Sequence, residues 1–349
     1  MYLVVTLEVV ALLLVATAVW FFGFGGQTRL GSWLLQRQTQ RRLSGAGLVC
    51  RSVVLSSGAT AWLHERAVAE SSGPALVILP GGTTSIDFMG AQLAGLIRAL
   101  SGRRVIVLEL PHHGRCVTTD LDFASRGVDR SAFVEHLEQS RVALGLDEAF
   151  DLLGYSLGGG VALAYALAHP ERVRRLVLVA PFVHDVATPA FAGVLQRAEW
   201  RSVHAWESLD ELKHFYRNWL GMTPRSALPE LVLRALHARR QATYPAGYWA
   251  AFMAASHEAL EPEHRFLRDE RAALAGLGRS TLLLCARDDR VCDYEKLTQL
   301  GALLGPEHCS VVSLPGGHAF APGRGATIFT ESRAAMLGFL LGLEPLAER

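Results

Sequence analysis

The sequence predicts an α/β protein whose core is a mostly parallel β-sheet flanked by helices. Short apolar strands alternate with helix-length segments, which is typical of parallel strands joined by crossover helices. A Gly-rich turn at residues 154–158 joins an apolar strand to an Ala-rich helix, and such turns lie at the carboxyl edge of parallel sheets. The chain has 349 residues, half of them hydrophobic, which is enough for a large core without disulfides.

The composition excludes several classes of protein. The 34 Lys plus Arg nearly balance the 33 Asp plus Glu, so the chain offers no broad basic surface for nucleic acid. The five cysteines form no Cys-x-x-Cys pair and predict neither a disulfide framework nor a zinc site. Because the sequence also lacks a dinucleotide fingerprint, we expect no cofactor and no metal.

The amino-terminal segment predicts a single transmembrane helix. Residues 9–27, VVALLLVATAVWFFGFGGQ, carry no charge and are long enough to cross a hydrocarbon core. Arginines follow at once, and by the positive-inside rule they place the rest of the chain on the cytoplasmic side. A cleaved signal peptide is the competing interpretation, although no basic residue precedes the apolar run. We expect a membrane anchor at residues 1–27 and a basic juxtamembrane segment at residues 28–47.

The strands and helices of the soluble part can be assigned in order. Two alternating runs, residues 48–55 and 60–67, flank a Ser-Ser-Gly turn and predict an antiparallel hairpin. Apolar strands then alternate with helices. The strands are predicted at residues 75–79, 104–110, 150–154, 173–180, 281–286 and 309–314. The helices between them are predicted at residues 86–100, 130–144 and 157–168, and a last helix ends near Leu343.

A cap domain is predicted between the fourth and fifth of these strands. About a hundred residues separate them, far more than a strand-to-helix connection needs. The intervening chain is rich in Trp and Tyr and is broken by prolines. We expect residues 183–278 to form a helical cap inserted before the fifth of these strands, and residues 48–182 and 279–349 to form the core. Some cap aromatics should line a pocket between the cap and the core.

The segment FDLLGYSLGGG, residues 150–160, has the pattern of a nucleophile elbow centred on Ser156. Gly154 and Gly158 flank the serine where a tight strand-to-helix turn leaves no room for a Cβ atom. A serine hydroxyl needs a base to take its proton, and the base needs an acid that fixes its tautomer. The elbow therefore predicts a histidine and an acid later in the chain.

Candidates for both partners directly follow the last two predicted strands. Asp288 and Asp289 follow the first of these strands, and His318 follows the second. Since the carboxyl ends of parallel strands meet at one edge of a sheet, we expect these side chains near Ser156. One of the two aspartates is expected only to pair with a neighbouring arginine in a surface turn.

Together these motifs resemble the α/β-hydrolase family over residues 48–343. LPGGTTS at residues 79–85 is similar to the oxyanion turn of that family, although Pro80 replaces the usual histidine. ELPHHGRC at residues 109–116 resembles the Pro-Gly-His-Gly segment of the family, with His112 in place of a glycine. The loop DDRVCD is similar to the acid loop of monoacylglycerol lipases. A membrane helix before a capped hydrolase domain further resembles the membrane-anchored lipases of this group.

The resemblance implies roles for five residues. They are Ser156 as nucleophile, His318 as base and then acid, Asp289 as the residue that orients His318, and the backbone N–H groups of Gly82 and Leu157 as the oxyanion hole. The family spacing favours the second aspartate of the loop. Asp185 is the alternative acid, because some members carry their acid after the preceding strand.

The implied function is that of a serine hydrolase that cleaves carboxylic esters through an acyl-enzyme. Monoacylglycerol or a similar single-chain lipid ester is the expected substrate, reached from the membrane. One alternative is an esterase, thioesterase or carbon–carbon hydrolase that acts on a soluble substrate. Another is a noncatalytic accessory protein of the same fold, since fold alone does not establish activity.

Overall fold

The computed structural model describes residues 26–69, 71–82, 84–117, 130–196, 206–221, 230–244, 248, 266–319, 329 and 332–343. Within these ranges eight strands form one sheet, flanked by helices. The strands are β1 (Val49–Val54), β2 (Thr60–Arg66), β3 (Leu76–Leu79), β4 (Val105–Leu108), β5 (Phe150–Tyr155), β6 (Val173–Val179), β7 (Ser280–Ala286) and β8 (Cys309–Leu314). The predicted alternation of strands and helices is confirmed.

The helices of the described chain follow in order. They are α1 (Gly26–Gly45), α2 (Ile86–Ala99), α3 (Arg130–Ala143), α4 (Leu157–Ala168), α5 (Pro189–Gln196), α6 (Leu209–His214), α7 (Glu230–Thr243), α8 (Phe266–Asp269), α9 (Arg271–Gly276), α10 (Tyr294–Leu303) and α11 (Arg333–Leu341). A single π-helical turn, Phe215–Trp219, continues α6.

The sheet has the strand order β1-β2-β4-β3-β5-β6-β7-β8. The predicted hairpin of β1 and β2 is confirmed as antiparallel, and β2 also pairs antiparallel with β4. Each further neighbouring pair, from β4 through to β8, is parallel. β3 and β4 read LVIL and VIVL and are buried at every position, as expected for strands covered on both faces. The parallel strands thus present their carboxyl ends at one common edge.

Helix α1 occupies the predicted juxtamembrane segment and is part of the folded domain. It packs along the core helix α2 and along α7, which belongs to the predicted cap. Leu43 and Ala46 are buried, so the hydrophobic core begins before residue 48, where the sequence placed its start. A Cβ atom on Gly31 would lie 1.9 Å from the carbonyl oxygen of Leu231, and this close backbone contact explains the glycine. The sequence did not predict these contacts, because α1 is rich in basic residues and buries few side chains.

The predicted transmembrane segment lies almost entirely outside the described residues. Only its last two positions, residues 26 and 27, are described, and they begin α1. Among the described helices, none combines the length and the apolar character needed to cross a bilayer. The elements described within residues 183–278 are helices, joined by short non-helical stretches, and Ala187 forms an isolated bridge with Cys292.

Candidate active site

Ser156 lies in the turn between β5 and α4 with a positive φ of 51°. A Cβ atom on Gly154 would lie 2.2 Å from the carbonyl oxygen of Gly158, and one on Gly158 would lie 2.4 Å from that of Pro80. The turn therefore excludes side chains at both glycines. Positive φ is uncommon for a residue with a side chain, and such strained residues are frequent at functional sites. The geometry is that of a nucleophile elbow.

A hydrogen-bonded relay links the three predicted catalytic side chains. His318 Nε2 lies 2.9 Å from Ser156 Oγ, and His318 Nδ1 lies 2.7 Å from Asp289 Oδ2. Because a carboxylate only accepts hydrogen bonds, Nδ1 carries the imidazole proton and Nε2 accepts the hydrogen bond from the serine hydroxyl. The side chains of His318 and Asp289 are 4% and 0% exposed. Burial shields this relay from water.

The structure distinguishes the two adjacent aspartates. The second oxygen of Asp289, Oδ1, accepts hydrogen bonds from the N–H groups of Val291 at 2.7 Å and Cys292 at 2.9 Å. These donors hold the carboxylate in the plane that His318 requires and compensate its burial. Asp288 is exposed and contributes its backbone N–H to the carbonyl of Gly316. Only Asp289 therefore reaches the imidazole.

Asp185, the alternative acid, has a different environment. Its Oδ2 accepts a hydrogen bond from the N–H of Leu267 at 2.7 Å, at the start of α8. This contact ties the segment after β6 to the end of the predicted cap. The hydrogen bond of Asp185 thus goes to the start of α8, whereas His318 binds Asp289.

The two expected oxyanion donors lie on adjacent segments. Leu157 is the first residue of α4, where a backbone N–H has no acceptor within the helix. A Cβ atom on Gly82 would lie 3.5 Å from the Leu157 side chain, so the loop after β3 covers the elbow. The Thr84 hydroxyl donates to the carbonyl of Gly81 at 2.7 Å and stabilises this loop. The proline at position 80 is thus compatible with a loop that reaches the nucleophile.

Tyr155 is a residue that the sequence analysis missed. Its hydroxyl donates to the backbone carbonyl of His318 at 3.0 Å, and its ring lies 5.2 Å from the imidazole. The ring of Phe329 packs edge-on against Tyr155 with the centroids 5.0 Å apart. Tyr155 therefore positions the histidine loop. The sequence could have indicated this role, because Tyr155 ends an apolar strand and directly precedes Ser156.

An aromatic cluster begins at Phe182, whose backbone contacts Ser156. The N–H of Phe182 donates to the carbonyl of Ser156 at 2.8 Å. The Phe182 ring packs edge-on against Phe191 of α5 at 5.8 Å, and Phe191 packs against Trp219 at 5.1 Å. Two of these rings belong to the predicted cap. These ring contacts join the segment after β6 to the described part of the predicted cap.

The predicted cap also contacts the histidine loop directly. The N–H of Ala319 donates to the carbonyl of Leu220 at 3.2 Å. Gly221 has a φ of +68°, and a Cβ atom there would lie 2.8 Å from the Cα of Gly317. Both contacts are made by residues adjacent to His318 in sequence, Gly317 and Ala319. A movement of this cap segment would therefore shift the position of His318.

Three side chains at the site lie close enough together to resemble a metal site, namely Asp289, Cys292 and His318. Burial raises the pKa of the Cys292 thiol well above its usual range, so the sulfur keeps its proton. That thiol donates to the carbonyl of Ala180 at 3.4 Å. Because a metal-binding cysteine is a thiolate and the other two groups bind each other, the relay accounts for this cluster.

A buried charge network connects the core to α7. Asp87 binds His64 Nε2 at 2.6 Å, Arg239 of α7 at 2.7 Å and Arg115 at 3.2 Å. Burial by itself would raise the pKa of Asp87. The hydrogen bond from His64 and the charges of the two arginines outweigh burial and hold that pKa well below its usual range. The network therefore fixes α7 and the loop containing Arg115 onto α2.

Glu109 lies next to this network, and its raised pKa should make the stability of the protein depend on pH. Burial raises its pKa to about 8, although the N–H groups of Arg115 and Ile86 favour the charged form. The folded protein thus binds a proton that the unfolded chain releases near its ordinary pKa of about 4.3. Stabilisation present below that value is lost as the pH rises toward 8. Between about pH 5 and 8 the unfolding free energy should fall by up to about 1.4 kcal/mol per pH unit.

Glu109→Gln is expected to remove this slope, because the amide does not titrate. Urea unfolding at closely spaced pH values measures it, and Glu135→Gln, at an exposed position of α3, is the matched control. Parallel profiles of the wild type and Glu109→Gln would contradict the assignment.

Comparisons with known proteins show the family and the fold of the chain. A family model described as the alpha/beta hydrolase fold matches residues 74–321. The chain is 28% identical to 2-hydroxymuconate semialdehyde hydrolase from Pseudomonas putida over 242 residues, which cover 68% of this chain and 77% of that protein. It is 34% identical to human (Homo sapiens) 1-acylglycerol-3-phosphate O-acyltransferase ABHD5 over 130 residues, 37% of this chain and 36% of that protein.

One solved structure matches nearly the whole chain. It is that of a membrane phospholipase A, a bacterial virulence factor, and it aligns with a TM-score of 0.69 and 25% identity over 97% of both chains.

Proposed function

We propose a specific activity for this chain, which belongs to the α/β-hydrolase family. It is a serine hydrolase that cleaves carboxylic esters of single-chain lipids, with monoacylglycerol as the model substrate. The observation that carries the proposal is the relay from Ser156 Oγ through His318 to Asp289, at 2.9 and 2.7 Å. Those distances lie within the range for proton transfer between a nucleophile and its base.

The relay supports a two-step mechanism. Ser156 Oγ attacks the ester carbonyl while His318 Nε2 takes the hydroxyl proton, and Asp289 stabilises the imidazolium that forms. The N–H groups of Leu157 and Gly82 would hold the oxyanion of the tetrahedral intermediate. His318 then protonates the departing alcohol, which leaves an acyl-enzyme. Water, deprotonated by His318, hydrolyses that ester and releases the fatty acid.

Two features favour a lipid acyl chain over a small soluble ester. We propose that the acyl chain packs against the apolar surface of Phe182, Phe191 and Trp219, since the N–H of Phe182 binds the carbonyl of Ser156 and the three rings are in contact. Each methylene group that such a surface removes from water contributes about 0.8 kcal/mol to binding. A similar protein, the membrane phospholipase A, carries a lipid ester hydrolase name, which is consistent with this substrate class.

We propose further that the amino-terminal segment holds the catalytic domain at a membrane, on the cytoplasmic side. The predicted anchor, residues 9–27, runs into α1, and α1 exposes Leu30, Trp33 and Leu34 to solvent. The guanidinium of Arg37 lies 4.9 Å from the Trp33 ring. An exposed apolar strip flanked by arginines is typical of a helix at the headgroup layer.

Deletion of residues 1–25 tests the anchor and leaves α1 intact. We expect the full chain to stay with membranes during high-salt and alkaline extraction and the truncated chain to be released. Turnover of monoacylglycerol in vesicles should fall by at least about tenfold, because the lipid would have to cross water. Turnover of a soluble p-nitrophenyl ester should change by less than about twofold. Equal losses on both substrates, or a mature chain that begins after Ala18, would contradict the proposal.

A carbon–carbon hydrolase is the second candidate. It is favoured by the 28% identity to 2-hydroxymuconate semialdehyde hydrolase over 68% of the chain. The purified full chain should be assayed in one panel of monoacylglycerols, short esters, acyl thioesters and 2-hydroxymuconate semialdehyde. The ester proposal expects the highest kcat/KM on a long-chain monoacylglycerol. The highest value on the semialdehyde would establish the second candidate instead.

A further inference from the structure

A surface pocket of about 180 Å³ lies between α1, α2 and α11. Its charged lining residues are all arginines, Arg42 of α1, Arg98 of α2 and Arg333 of α11. Gln92 and the ring of Phe329 complete the polar and aromatic parts of the wall. The pocket is large enough for several water molecules or one small polar ligand.

The three guanidinium groups lack counter-charges within the described chain. No carboxylate among the described residues forms an ion pair with Arg42, Arg98 or Arg333. Burial, together with the charge of Arg98, lowers the pKa of Arg42, which indicates that the two cations are close. A Cβ atom on Gly95 would lie 2.9 Å from a guanidinium nitrogen of Arg333, so the glycine makes room for that side chain. Three converging cations are stabilised by an anion.

Gln92 supplies an independent observation. Its Oε1 atom is buried and has no hydrogen-bond partner among the residues described. A buried amide oxygen without a donor costs free energy, and a ligand hydroxyl would satisfy it. With the amide turned over, the N–H₂ group would instead donate to an anion oxygen. Gln92 also lines the pocket, so a change of its side-chain rotamer would bring this unpartnered amide to a ligand there.

We propose that this pocket binds a phosphate monoester. Guanidinium forks bind phosphate oxygens in pairs, so three arginines suit a dianion better than a singly charged diester. Gln92 would bind a hydroxyl of the ligand or of the phosphate itself. The same chemistry is offered by a soluble phosphate ester and by the headgroup of a lipid such as phosphatidic acid.

The pocket is separate from the catalytic relay. Its α2 residues lie in the middle and at the carboxyl end of that helix, whereas the strand ends that carry the relay lie near its start. Phe329 lines the pocket and packs against Tyr155. The rings of Phe329 and Tyr155 therefore lie between the pocket and the histidine loop. The proposal therefore does not depend on the reaction at Ser156, and either could fail without the other.

Calorimetric titration of the full chain in neutral detergent tests the site. The probes are inorganic phosphate, glycerol 3-phosphate, dihexanoyl phosphatidic acid and dihexanoyl phosphatidylglycerol. We expect the first three to bind and the diester phosphatidylglycerol to bind at least about tenfold more weakly, a difference of about 1.4 kcal/mol. Tighter binding of dihexanoyl phosphatidic acid than of glycerol 3-phosphate identifies a lipid headgroup as the source. Equal affinities identify a soluble phosphate ester.

Variants of the lining residues assign the binding to this pocket. The double variant Arg98→Ala/Arg333→Ala should weaken phosphate binding about a hundredfold, and Gln92→Leu should weaken it about tenfold. Arg41→Ala is the matched control, since Arg41 is the exposed neighbour of Arg42 outside the pocket. Turnover of a soluble ester reports that each variant is folded. Undiminished binding by the double variant, or equal affinity for monoester and diester, would overturn the proposal.

Discussion

Ser156→Ala is expected to abolish turnover of every ester substrate and labelling by a fluorophosphonate probe. In the proposed mechanism the hydroxyl oxygen forms the acyl bond, and its imidazole partner lies 2.9 Å away. Loss of a triad nucleophile lowers kcat by about 10⁶-fold, and the remaining rate comes from binding and the oxyanion hole. In-gel fluorescence of the labelled protein and initial rates on monoacylglycerol measure the two effects.

The control for this variant must separate chemistry from folding. Ser52→Ala changes an exposed serine on the edge strand β1 and should label and turn over like the wild type. Thermal unfolding of Ser156→Ala should stay close to that of the wild type, because alanine keeps the Cβ atom that this positive φ already accommodates and removes only the hydroxyl. Full activity of the folded Ser156→Ala variant would reject the serine hydrolase. Failure of the wild type to label would instead favour a noncatalytic accessory protein.

Asp289→Asn is expected to lower kcat by about 10³- to 10⁴-fold with little change in KM. An amide facing Nδ1 of His318 can present its N–H₂ group and stabilise the wrong imidazole tautomer, which leaves Nε2 unable to take the serine proton. The two backbone donors to Oδ1, from Val291 and Cys292, favour that orientation, because they keep the carbonyl oxygen of the amide on their side. Rates on a soluble ester at saturating concentration measure the effect.

Asp288→Asn is the matched control for this second prediction. It makes the same chemical change one residue earlier, at an exposed side chain, and should alter kcat by less than about threefold. A severe effect at Asp288 with a mild one at Asp289 would contradict the relay described here. An Asp185→Asn variant should also retain activity, since that carboxylate binds the start of α8.

The residue pattern alone could not identify which of the two adjacent aspartates binds His318. The residues alone left Asp288 and Asp289 open, and only the spacing typical of a related family favoured the second. In the folded chain the backbone of residues 289–292 wraps around the Asp289 carboxylate, so its remaining oxygen faces His318. A loop conformation of this kind depends on contacts with neighbouring strands, which a pattern of residues does not encode.

The sequence by itself determined the features that arise from local periodicity and local sterics. These are the alternation of strands and helices, the hairpin of β1 and β2, and the glycines that permit the turn at Ser156. Each depends on residues within a few positions of one another. The tertiary structure alone decided the packing of α1 on the core, the support of His318 by Tyr155, and the meeting of Arg42, Arg98 and Arg333. These contacts join residues far apart in the chain, and their free energy comes from burial and charge that exist only once the helices have packed together.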